Sequence, residues 1–453
     1  MTSRTVRPRW SLVLAGVVVT TSCSSLAVST PAPPAAPPTA APTTAVAPTA
    51  PPTTASDANE LVSVGAAELA ASGFAVLDGR RVGLIANQTS VVGDRHLADL
   101  LSEAPNVTLG AIFAPEHGFR GTDDAGEGVA DDIDPRTGAT VYSLYGNAKQ
   151  PTPAMLAGLD ALVYDIQDVG TRFYTYISTM GLAMQAAADA GIAFVVLDRP
   201  NPNPGPSAGF VRQADQQSFI GQYPLPASYG LTPGELALAI KGEAWLSGLE
   251  SLDLTVVPMT GWRPSMYWGA RPWIAPSPGL PNPVGARLYP GTVLFEATSL
   301  SWGRGTDAPF EQVGAPWLDA TTIAAELNLS TATTPQLGGV HFEATTFTPQ
   351  RLDYMTADPQ FANVTVPAVR IAIDDEAAFE PVAVGVYLLA SVIAHADGQT
   401  VIVAEATFDL LAGSRELRTS LTEGVPAADI VASWATETTA FDQAMRPYRL
   451  YGD

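Results

Sequence analysis

The 453-residue sequence has a single cysteine, Cys23. One cysteine excludes both a disulfide bond within the chain and a cysteine-based metal site. The histidines, His96, His117, His341 and His395, include no pair at the i,i+4 spacing of a helical metal site. The sequence also lacks an acidic calcium-binding loop. We therefore expect no metal centre.

Positive charge is also scarce. The chain has 23 Lys and Arg against 45 Asp and Glu, which gives a formal net charge of -22. Nucleic acids and anionic membrane surfaces are bound by clustered Lys and Arg, so neither is expected as a partner. No apolar run after residue 60 has the length of a membrane span. The glycine-rich fingerprints of dinucleotide-binding and P-loop folds are missing, so we expect no nucleotide cofactor.

The N-terminal part has the layout of an export signal followed by a spacer. The basic residues Arg4, Arg7 and Arg9 precede an apolar stretch, and small residues precede Cys23. No charged residue occurs between positions 11 and 56, where Pro, Ala, Thr and Ser predominate. Such a composition cannot bury enough apolar area to fold, and its prolines favour an extended spacer.

These features predict a lipoprotein signal peptide at residues 1–22 and a Pro/Ala/Thr-rich disordered tether at residues 23–58. A lipid on Cys23 would hold the exported protein at the outer face of the cytoplasmic membrane, in the cell envelope. The alternative is an ordinary signal peptide with an incidental cysteine. The composition of the spacer that follows favours lipidation.

Beyond residue 60, short β-branched apolar runs alternate with helical patterns, which is typical of a parallel sheet with helices on both faces. The fold class is therefore predicted to be α/β. The predicted strands are Val82–Ala86, Thr108–Phe113, Ala139–Ser143, Ala161–Ile166, Phe194–Leu197 and Leu254–Val257. The predicted helices are Ala66–Ser72, His96–Glu103, Thr152–Leu159, Ile177–Ala190 and Pro233–Ser247.

The pattern changes after Trp302, where two short apolar runs, Val366–Ile373 and Val382–Val386, precede a helix-like stretch at Tyr387–Ala396. We therefore predict a Rossmann-like parallel-sheet catalytic domain at residues 60–300. A smaller α/β or α+β domain is predicted at residues 301–453, with the active site in the cleft between the two.

Ligands of such sheets bind beyond the carboxyl ends of the strands. Four predicted strands end in polar turns, which contain Asn87, Glu116, Asp168 and Asn201. Each of these residues, taken singly, could cap a helix or form a local pair. Four polar turns at one edge of the sheet favour a pocket for a polar substrate.

Three segments at this edge form long motifs. They read Ala-Pro-Glu-His-Gly-Phe-Arg-Gly at 114–121, Asp-Ile-Gln-Asp-Val-Gly-Thr-Arg-Phe-Tyr-Thr-Tyr-Ile-Ser-Thr at 165–179 and Leu-Asp-Arg-Pro-Asn-Pro at 197–202. They resemble the NamZ-type exo-β-N-acetylmuramidase family. Further similar motifs lie at 230–237, 289–292, 302–306 and 314–317. The resemblance implies a glycosidase that releases terminal N-acetylmuramic acid from peptidoglycan-derived muramyl saccharides during cell-wall turnover and recycling.

Some positions depart from the family pattern. Tyr229 stands where the family usually has histidine, and Gly279 stands where it usually has asparagine. In a Glu-Gly-Thr-Asn motif, Ala297 and Ser299 replace the glycine and the asparagine. These departures affect the second half of the predicted pocket, and therefore the details of substrate binding more than the reaction class.

Glycosidases need a proton donor for the leaving oxygen and a base or nucleophile near the anomeric carbon. Glu116, beside His117 in a family-like motif, is the first candidate for acid/base, with a helix cap as the alternative. Asp168 is the next carboxylate. Tyr174 and Tyr176 could bind substrate or stabilise the oxocarbenium-like state, although packing is the alternative. Tyrosine nucleophiles occur among glycosidases, and hydrolysis assisted by the 2-acetamido group also stays open.

Muramic acid differs from glucosamine by a lactyl ether that bears a carboxylate. Arginine binds a carboxylate best because its planar guanidinium donates two parallel hydrogen bonds. Arg172 and Arg304 are the candidates, ahead of Arg120 and Arg199; each could instead hold a nearby aspartate. The other predicted substrate-binding residues are Asn87, Asp198, Asn201 and Glu296.

An exo-acting enzyme must also block the far side of the sugar, and the Trp262–Trp273 segment could form that wall. A lipid-anchored binding protein that captures cell-wall fragments without cleaving them is the alternative function. An esterase or amidase is less favoured, because no Gly-x-Ser-x-Gly motif is present and Cys23 is the only thiol.

Overall fold

The computed structural model describes residues 62–119, 132–146 and 148–452. The predicted signal peptide, the predicted tether, Cys23 and Arg120 lie outside these residues. Within them, no helix has both the length and the apolar character needed to cross a membrane.

The described residues form two sheets and a short ribbon. The strands in chain order are β1 (Arg81–Ala86), β2 (Val91–Val92), β3 (Arg95–His96), β4 (Thr108–Ala114), β5 (Asp132–Ile133), β6 (Thr140–Ser143), β7 (Ala161–Asp165), β8 (Ala193–Leu197), β9 (Leu254–Val257), β10 (Gln312–Gly314), β11 (Val340–Phe347) and β12 (Val366–Ile373). All six strands predicted from the sequence are confirmed, each to within one residue at either end.

The larger sheet has the strand order β5-β6-β4-β1-β7-β8-β9 in the described residues. All its neighbouring strands run parallel except β5, which pairs antiparallel with β6 at the edge. A separate antiparallel sheet has the order β10-β12-β11. The predicted α/β fold, with a mainly parallel sheet and a smaller second domain, is confirmed.

Helices cover both faces of the larger sheet. The α-helices of the described residues are α1 (Gly65–Ala71), α2 (Leu97–Glu103), α3 (Pro153–Leu156), α4 (Tyr176–Ala190), α5 (Pro233–Gly242), α6 (Pro283–Thr292), α7 (Ala320–Thr331), α8 (Pro381–Ala394), α9 (Glu405–Ala412), α10 (Glu416–Thr422), α11 (Ala427–Ser433) and α12 (Ala435–Met445).

Two helices end at least three residues earlier than predicted. Helix α3 stops before Gly158, whose φ of 78° lies in the left-handed region that ends a helix. Helix α5 begins with a capping box formed by Thr232 and Glu235. It stops at Gly242, and the next turn contains Ala244 at a φ of 51°. The backbone therefore leaves the helical conformation before the apolar pattern of the sequence ends.

One apolar core extends from the larger sheet into the C-terminal part. It includes Tyr164 of β7, Met180 of α4 and Leu388 of α8. A second core on the other face packs α1 and α2 against β1, β4, β7 and β8. Helices α6 and α8 cross closely at Gly291 and Gly385, where a Cβ on either glycine would collide with the backbone of the other. This close crossing packs α8, in the C-terminal part, directly against α6.

Candidate active site

A tight turn follows β4 at the carboxyl edge of the larger sheet. His117 and Gly118 both have left-handed backbone conformations, with φ of 68° and 77°. A non-glycine residue in this region is uncommon and is found disproportionately at functional sites. Glu116, the residue before His117, is half-buried at this turn.

A pocket with a volume of about 220 Å³ lies beside this turn. Six residues predicted from the sequence line it: Glu116, His117, Tyr174, Tyr176, Glu296 and Arg304. Other lining residues come from the 277–280 loop, from α6 and from the C-terminal part, and they include Ser277, Tyr289, Trp302, Phe310, Tyr354 and Thr407. Both halves of the chain therefore contribute to the pocket, as the predicted cleft location requires.

Glu116 is held in place by a neighbouring hydroxyl group. Thr175 Oγ1 donates a 2.6 Å hydrogen bond to Glu116 Oε2. Tyr176, the first residue of α4, donates its hydroxyl to the carbonyl oxygen of Pro276 at 2.5 Å and lies 3.5 Å from the carbonyl oxygen of Glu116. The start of α4 thus positions the turn that carries Glu116.

Glu296 is the second carboxylate of the pocket. It lies on the 3-10 helix Val293–Ala297, about two helical turns after Tyr289. Its side chain is exposed at the open pocket, and the protein around that pocket partly desolvates it. This desolvation raises the pKa of Glu296 to about 7; the Arg304 guanidinium lowers it and the Glu116 carboxylate raises it. Glu296 can therefore carry a proton near neutral pH.

Aromatic rings also line the pocket. The Tyr174 ring packs edge-on against Tyr176, with centroids 4.9 Å apart, and against Tyr289 at 6.0 Å. Tyr289 packs edge-on against Phe310 at 4.7 Å, and Phe310 stacks on Trp302 at 4.3 Å. Such surfaces suit the apolar faces of a sugar ring.

Burial raises the pKa of the Tyr174 and Tyr176 hydroxyls above the ordinary range for tyrosine. Both side chains therefore stay protonated at neutral pH. A protonated phenol donates a hydrogen bond but is a weak nucleophile. The pocket thus favours a substrate-binding role for these tyrosines over a nucleophilic one.

The two arginine candidates occupy different environments. Arg304 is half-buried at the pocket wall, with its guanidinium 5.9 Å from the ring centroid of Trp302. Arg172 is fully buried and does not line the pocket. Its Nη2 donates to the carbonyl oxygen of Leu411 at 2.7 Å, near the end of α9, and its side chain packs against Gly413. Burial lowers the pKa of Arg172 to about 9.

Asp168 lies behind the pocket and does not line it. Its Oδ2 accepts hydrogen bonds from the Tyr229 hydroxyl and from the backbone N–H of Gly170, the latter at 2.8 Å. Burial raises the pKa of Asp168 to about 6, although these hydrogen bonds lower it. Tyr229, which replaces the histidine usual in the family, thus supplies a hydroxyl donor to this buried carboxylate.

Three other predicted residues are buried and bind neighbouring parts of the chain instead of lining the pocket. Asn87 Oδ1 accepts from the backbone N–H of Thr89 at 2.9 Å. Asn201 Nδ2 donates to the Leu231 carbonyl oxygen at 2.9 Å. Asp198 accepts from the hydroxyls of Thr232 and Tyr451, at 2.7 and 2.5 Å, and from the Gly234 N–H at 2.7 Å.

Arg199 and the tryptophan segment also lie outside this pocket. Arg199 forms a bidentate ion pair with Asp165, with N···O distances of 2.5 and 2.9 Å. Trp262 packs with Met259 and Met266 in a small apolar cluster. Trp268 lines a second pocket, and the loop that follows the segment, at 277–280, supplies the wall of the first.

Sequence reasoning did not select Tyr289, Trp302, Phe310 or Ser277. Tyr289 and Trp302 begin two of the family-like motifs, so motif position was a usable signal for them. Ser277 belongs to the Pro-Ser-Pro-Gly segment at 276–279, which is similar to a family motif apart from Gly279, so motif position was a usable signal for it as well. Phe310 has no such signal, because only its packing brings it to the pocket. In the described residues, no group of three or more His, Cys, Asp or Glu side chains is placed to hold a metal ion.

The site defines a class of protein. A small pocket at the carboxyl edge of a parallel sheet, with two carboxylates, an arginine and an aromatic lining, is the kind of site found in glycoside hydrolases.

The comparisons then identify the family. The models for the N-terminal and C-terminal parts of the exo-beta-N-acetylmuramidase NamZ match residues 82–284 and 287–451. The chain is 38% identical over 379 residues to the peptidoglycan beta-N-acetylmuramidase NamZ of Bacillus subtilis (strain 168), covering 83% of this chain and 88% of that protein. The chain belongs to the NamZ family.

Two crystal structures of DUF1343 family proteins from Bacteroides fragilis NCTC 9343 have the same fold. One has a TM-score of 0.78 at 36% sequence identity, and the other has a TM-score of 0.71 at 33%. In both comparisons, the match covers 86% of this chain and 99% of the other chain.

Proposed function

We propose that this enzyme is an exo-β-N-acetylmuramidase, a glycosidase that releases terminal N-acetylmuramic acid from peptidoglycan fragments in cell-wall turnover and recycling. The observation that carries this function is a pair of carboxylates, Glu116 and Glu296, in one pocket of a NamZ-family chain. Glycosidases of most families use such a pair.

The raised pKa of Glu296 suits it to the role of general acid. A carboxyl group can protonate the leaving oxygen at neutral pH only if its surroundings keep the proton on it. The pKa of Glu296 is raised to about 7, so Glu296 fits the acid better than Glu116, which the sequence favoured. Glu116, oriented by Thr175, is then the second carboxylate, which acts at the anomeric carbon as base or nucleophile.

The alternative function is a binding protein that holds cell-wall fragments without cleaving them. A binder has no need for a carboxyl group with a raised pKa beside a second carboxylate. The purified protein should release the chromophore from an N-acetylmuramic acid glycoside and leave the glucosamine analogue almost intact. Tight binding of the muramic acid glycoside without release would favour the binder.

Selection of muramic acid is assigned to Arg304, because it lines the pocket and Arg172 does not. Arg304→Leu should raise KM for muramic acid glycosides, at a cost of about 1.5–3 kcal/mol for a lost charge-assisted pair. Since Arg304 lowers the pKa of Glu296, the same change should move the alkaline fall in activity to higher pH. Steady-state kinetics on muramic acid and glucosamine glycosides measure both effects.

Arg172→Leu is the matched control for this prediction. It removes a buried arginine that supports α9 through the Leu411 carbonyl oxygen, so both glycosides should lose activity equally. Equal losses with Arg304→Leu as well would contradict a role in selection and indicate that Arg304 supports the fold.

We also propose that Cys23 carries a lipid that anchors the enzyme at the outer face of the cytoplasmic membrane. The support is the basic and apolar start, the small residues before Cys23 and the Pro/Ala/Thr-rich stretch after it. Cys23→Ala should move the protein from the membrane fraction to the soluble fraction with its activity per molecule unchanged. Cell fractionation with a Ser24→Ala control tests this, and membrane retention of Cys23→Ala would rule the anchor out.

A further inference from the structure

A second pocket, with a volume of about 590 Å³, lies at the same edge of the larger sheet. The turns after β1, β7 and β8 contribute Thr89, Gln167 and Arg199 to its lining, and the loop before α6 contributes Trp268 and Ile274. This volume is within the range of pockets that hold small ligands. The hydrolytic reaction at Glu116 and Glu296 uses none of these residues.

One loop supplies lining residues to both pockets. The loop before α6 lines the second pocket with residues between 268 and 274, and it lines the active-site pocket with residues 277–280. Ala275 and Pro276 lie between these two parts of the loop. We call this dipeptide the strap, because it joins the part of the loop that lines one cavity to the part that lines the other.

Side chains hold the strap in place. Gln88 Nε2 donates to the carbonyl oxygens of Ala275 at 2.7 Å and Pro276 at 3.1 Å, and Tyr176 donates to that of Pro276. Neither strap residue belongs to a helix or a strand, and Pro276 has no backbone N–H to donate. The position of the strap therefore depends on these side-chain donors.

An exo-acting muramidase must reject a muramic acid unit that has another sugar on its non-reducing side. We propose that the strap, held by Gln88, closes the active-site pocket on that side and so limits cleavage to terminal N-acetylmuramic acid. The second pocket is the space into which a preceding N-acetylglucosamine would extend once the strap is displaced. This inference rests on the proposed hydrolytic function, and it makes Gln88 a specificity-determining residue.

The test uses two peptide-free saccharides. One has muramic acid at its non-reducing end, and the other has the same muramic acid capped by N-acetylglucosamine. Gln88→Glu keeps the size of the side chain but faces the strap carbonyls with a carboxylate, while Gln88→Ala removes the side chain. Both variants should raise kcat/KM for the capped saccharide relative to the uncapped one by about tenfold, equivalent to about 1.4 kcal/mol.

That change is of the size expected for one or two lost neutral hydrogen bonds. The capped saccharide should yield the N-acetylglucosaminyl-muramic acid disaccharide, which chromatography separates from free muramic acid. Gln185→Glu is the matched control, because Gln185 Nε2 also donates to a backbone carbonyl oxygen, that of Ser247 at 2.9 Å. This control should leave the ratio unchanged.

A new activity on the capped saccharide cannot result from misfolding, and cleavage of the uncapped one shows that each variant is folded. The inference is overturned if both Gln88 variants still cleave the uncapped saccharide but leave the capped one as resistant as the parent enzyme does. It is also overturned if they change only KM for saccharides extended at the reducing end. Failure of the parent enzyme on the uncapped saccharide would instead contradict the proposed function.

Discussion

Replacing Glu296 with glutamine is expected to lower kcat for natural muramyl disaccharides by about 10²–10⁴, the usual contribution of a positioned acid or base. Glutamine keeps the shape of the side chain but cannot transfer a proton to the leaving oxygen. A glycoside with a good leaving group needs little protonation, so its hydrolysis should fall much less. Steady-state kinetics with a disaccharide and an activated aryl glycoside measure the difference.

The pH dependence of the same variant gives an independent measurement. A general acid acts only in its protonated form, so kcat/KM of the parent enzyme should fall as pH rises through about 7, the pKa of Glu296. Glu296→Gln should lack this alkaline fall. Glu380→Gln is the matched control, because burial also raises the pKa of Glu380 and Glu380 does not line the pocket.

If kcat/KM of Glu296→Gln still falls at alkaline pH as in the parent enzyme, Glu296 is not the general acid. Equal losses on the disaccharide and the activated glycoside would show the same. Either result would return the role to Glu116, the residue that the sequence motif favours.

The parallel sheet was predictable because its strands are short β-branched runs that alternate with helices. The C-terminal part was less predictable. Val382–Val386 and Tyr387–Ala396 look like separate elements in the sequence, but one helix, α8, covers Pro381–Ala394. That helix is buried along most of its length, so its apolar residues show no helical period that could distinguish it from a buried strand.

The site was predictable only in part, because polar turns at the edge of the sheet can either hold neighbouring segments or line the pocket. The turn after β4 and the start of α4 line the pocket, as their polar residues suggested. The equally polar turns after β1 and β8 use Asn87, Asp198 and Asn201 to satisfy backbone and hydroxyl groups of their own turn or of nearby segments. Buried polar groups in irregular turns need such partners, and composition alone does not distinguish a residue that holds a loop from one that binds substrate.

The part of the pocket that is lined by Tyr289 and Glu296 depends on tertiary packing. Tyr289 and Glu296 reach the pocket because α6 crosses α8 at two glycines and continues into a 3-10 helix. Sequence reasoning placed Glu296 among substrate-binding residues, since nothing local indicates that the C-terminal part encloses it. That enclosure is the largest cause of its raised pKa.

Glu116→Gln should be the other large loss, with a decrease in kcat of about 10²–10⁴. If Glu116 acts at the anomeric carbon as base or nucleophile, its carboxylate is needed whatever the leaving group is. The natural disaccharide and the activated glycoside should therefore lose activity together, which is the opposite of the pattern expected for Glu296→Gln. Thr175→Val, which removes the 2.6 Å hydrogen bond to Glu116, should cause a smaller loss on both substrates.

The two glutamine variants together assign both roles. Glu423→Gln, at an exposed position outside the pocket, is the control for loss of a carboxylate and should keep full activity. If Glu116→Gln spares the activated glycoside and Glu296→Gln does not, the roles are exchanged and Glu116 is the acid. If Glu116→Gln retains nearly full activity on both substrates, Glu116 only stabilises the turn after β4. The second catalytic group would then have to come from another residue of the pocket or from the 2-acetamido group of the substrate.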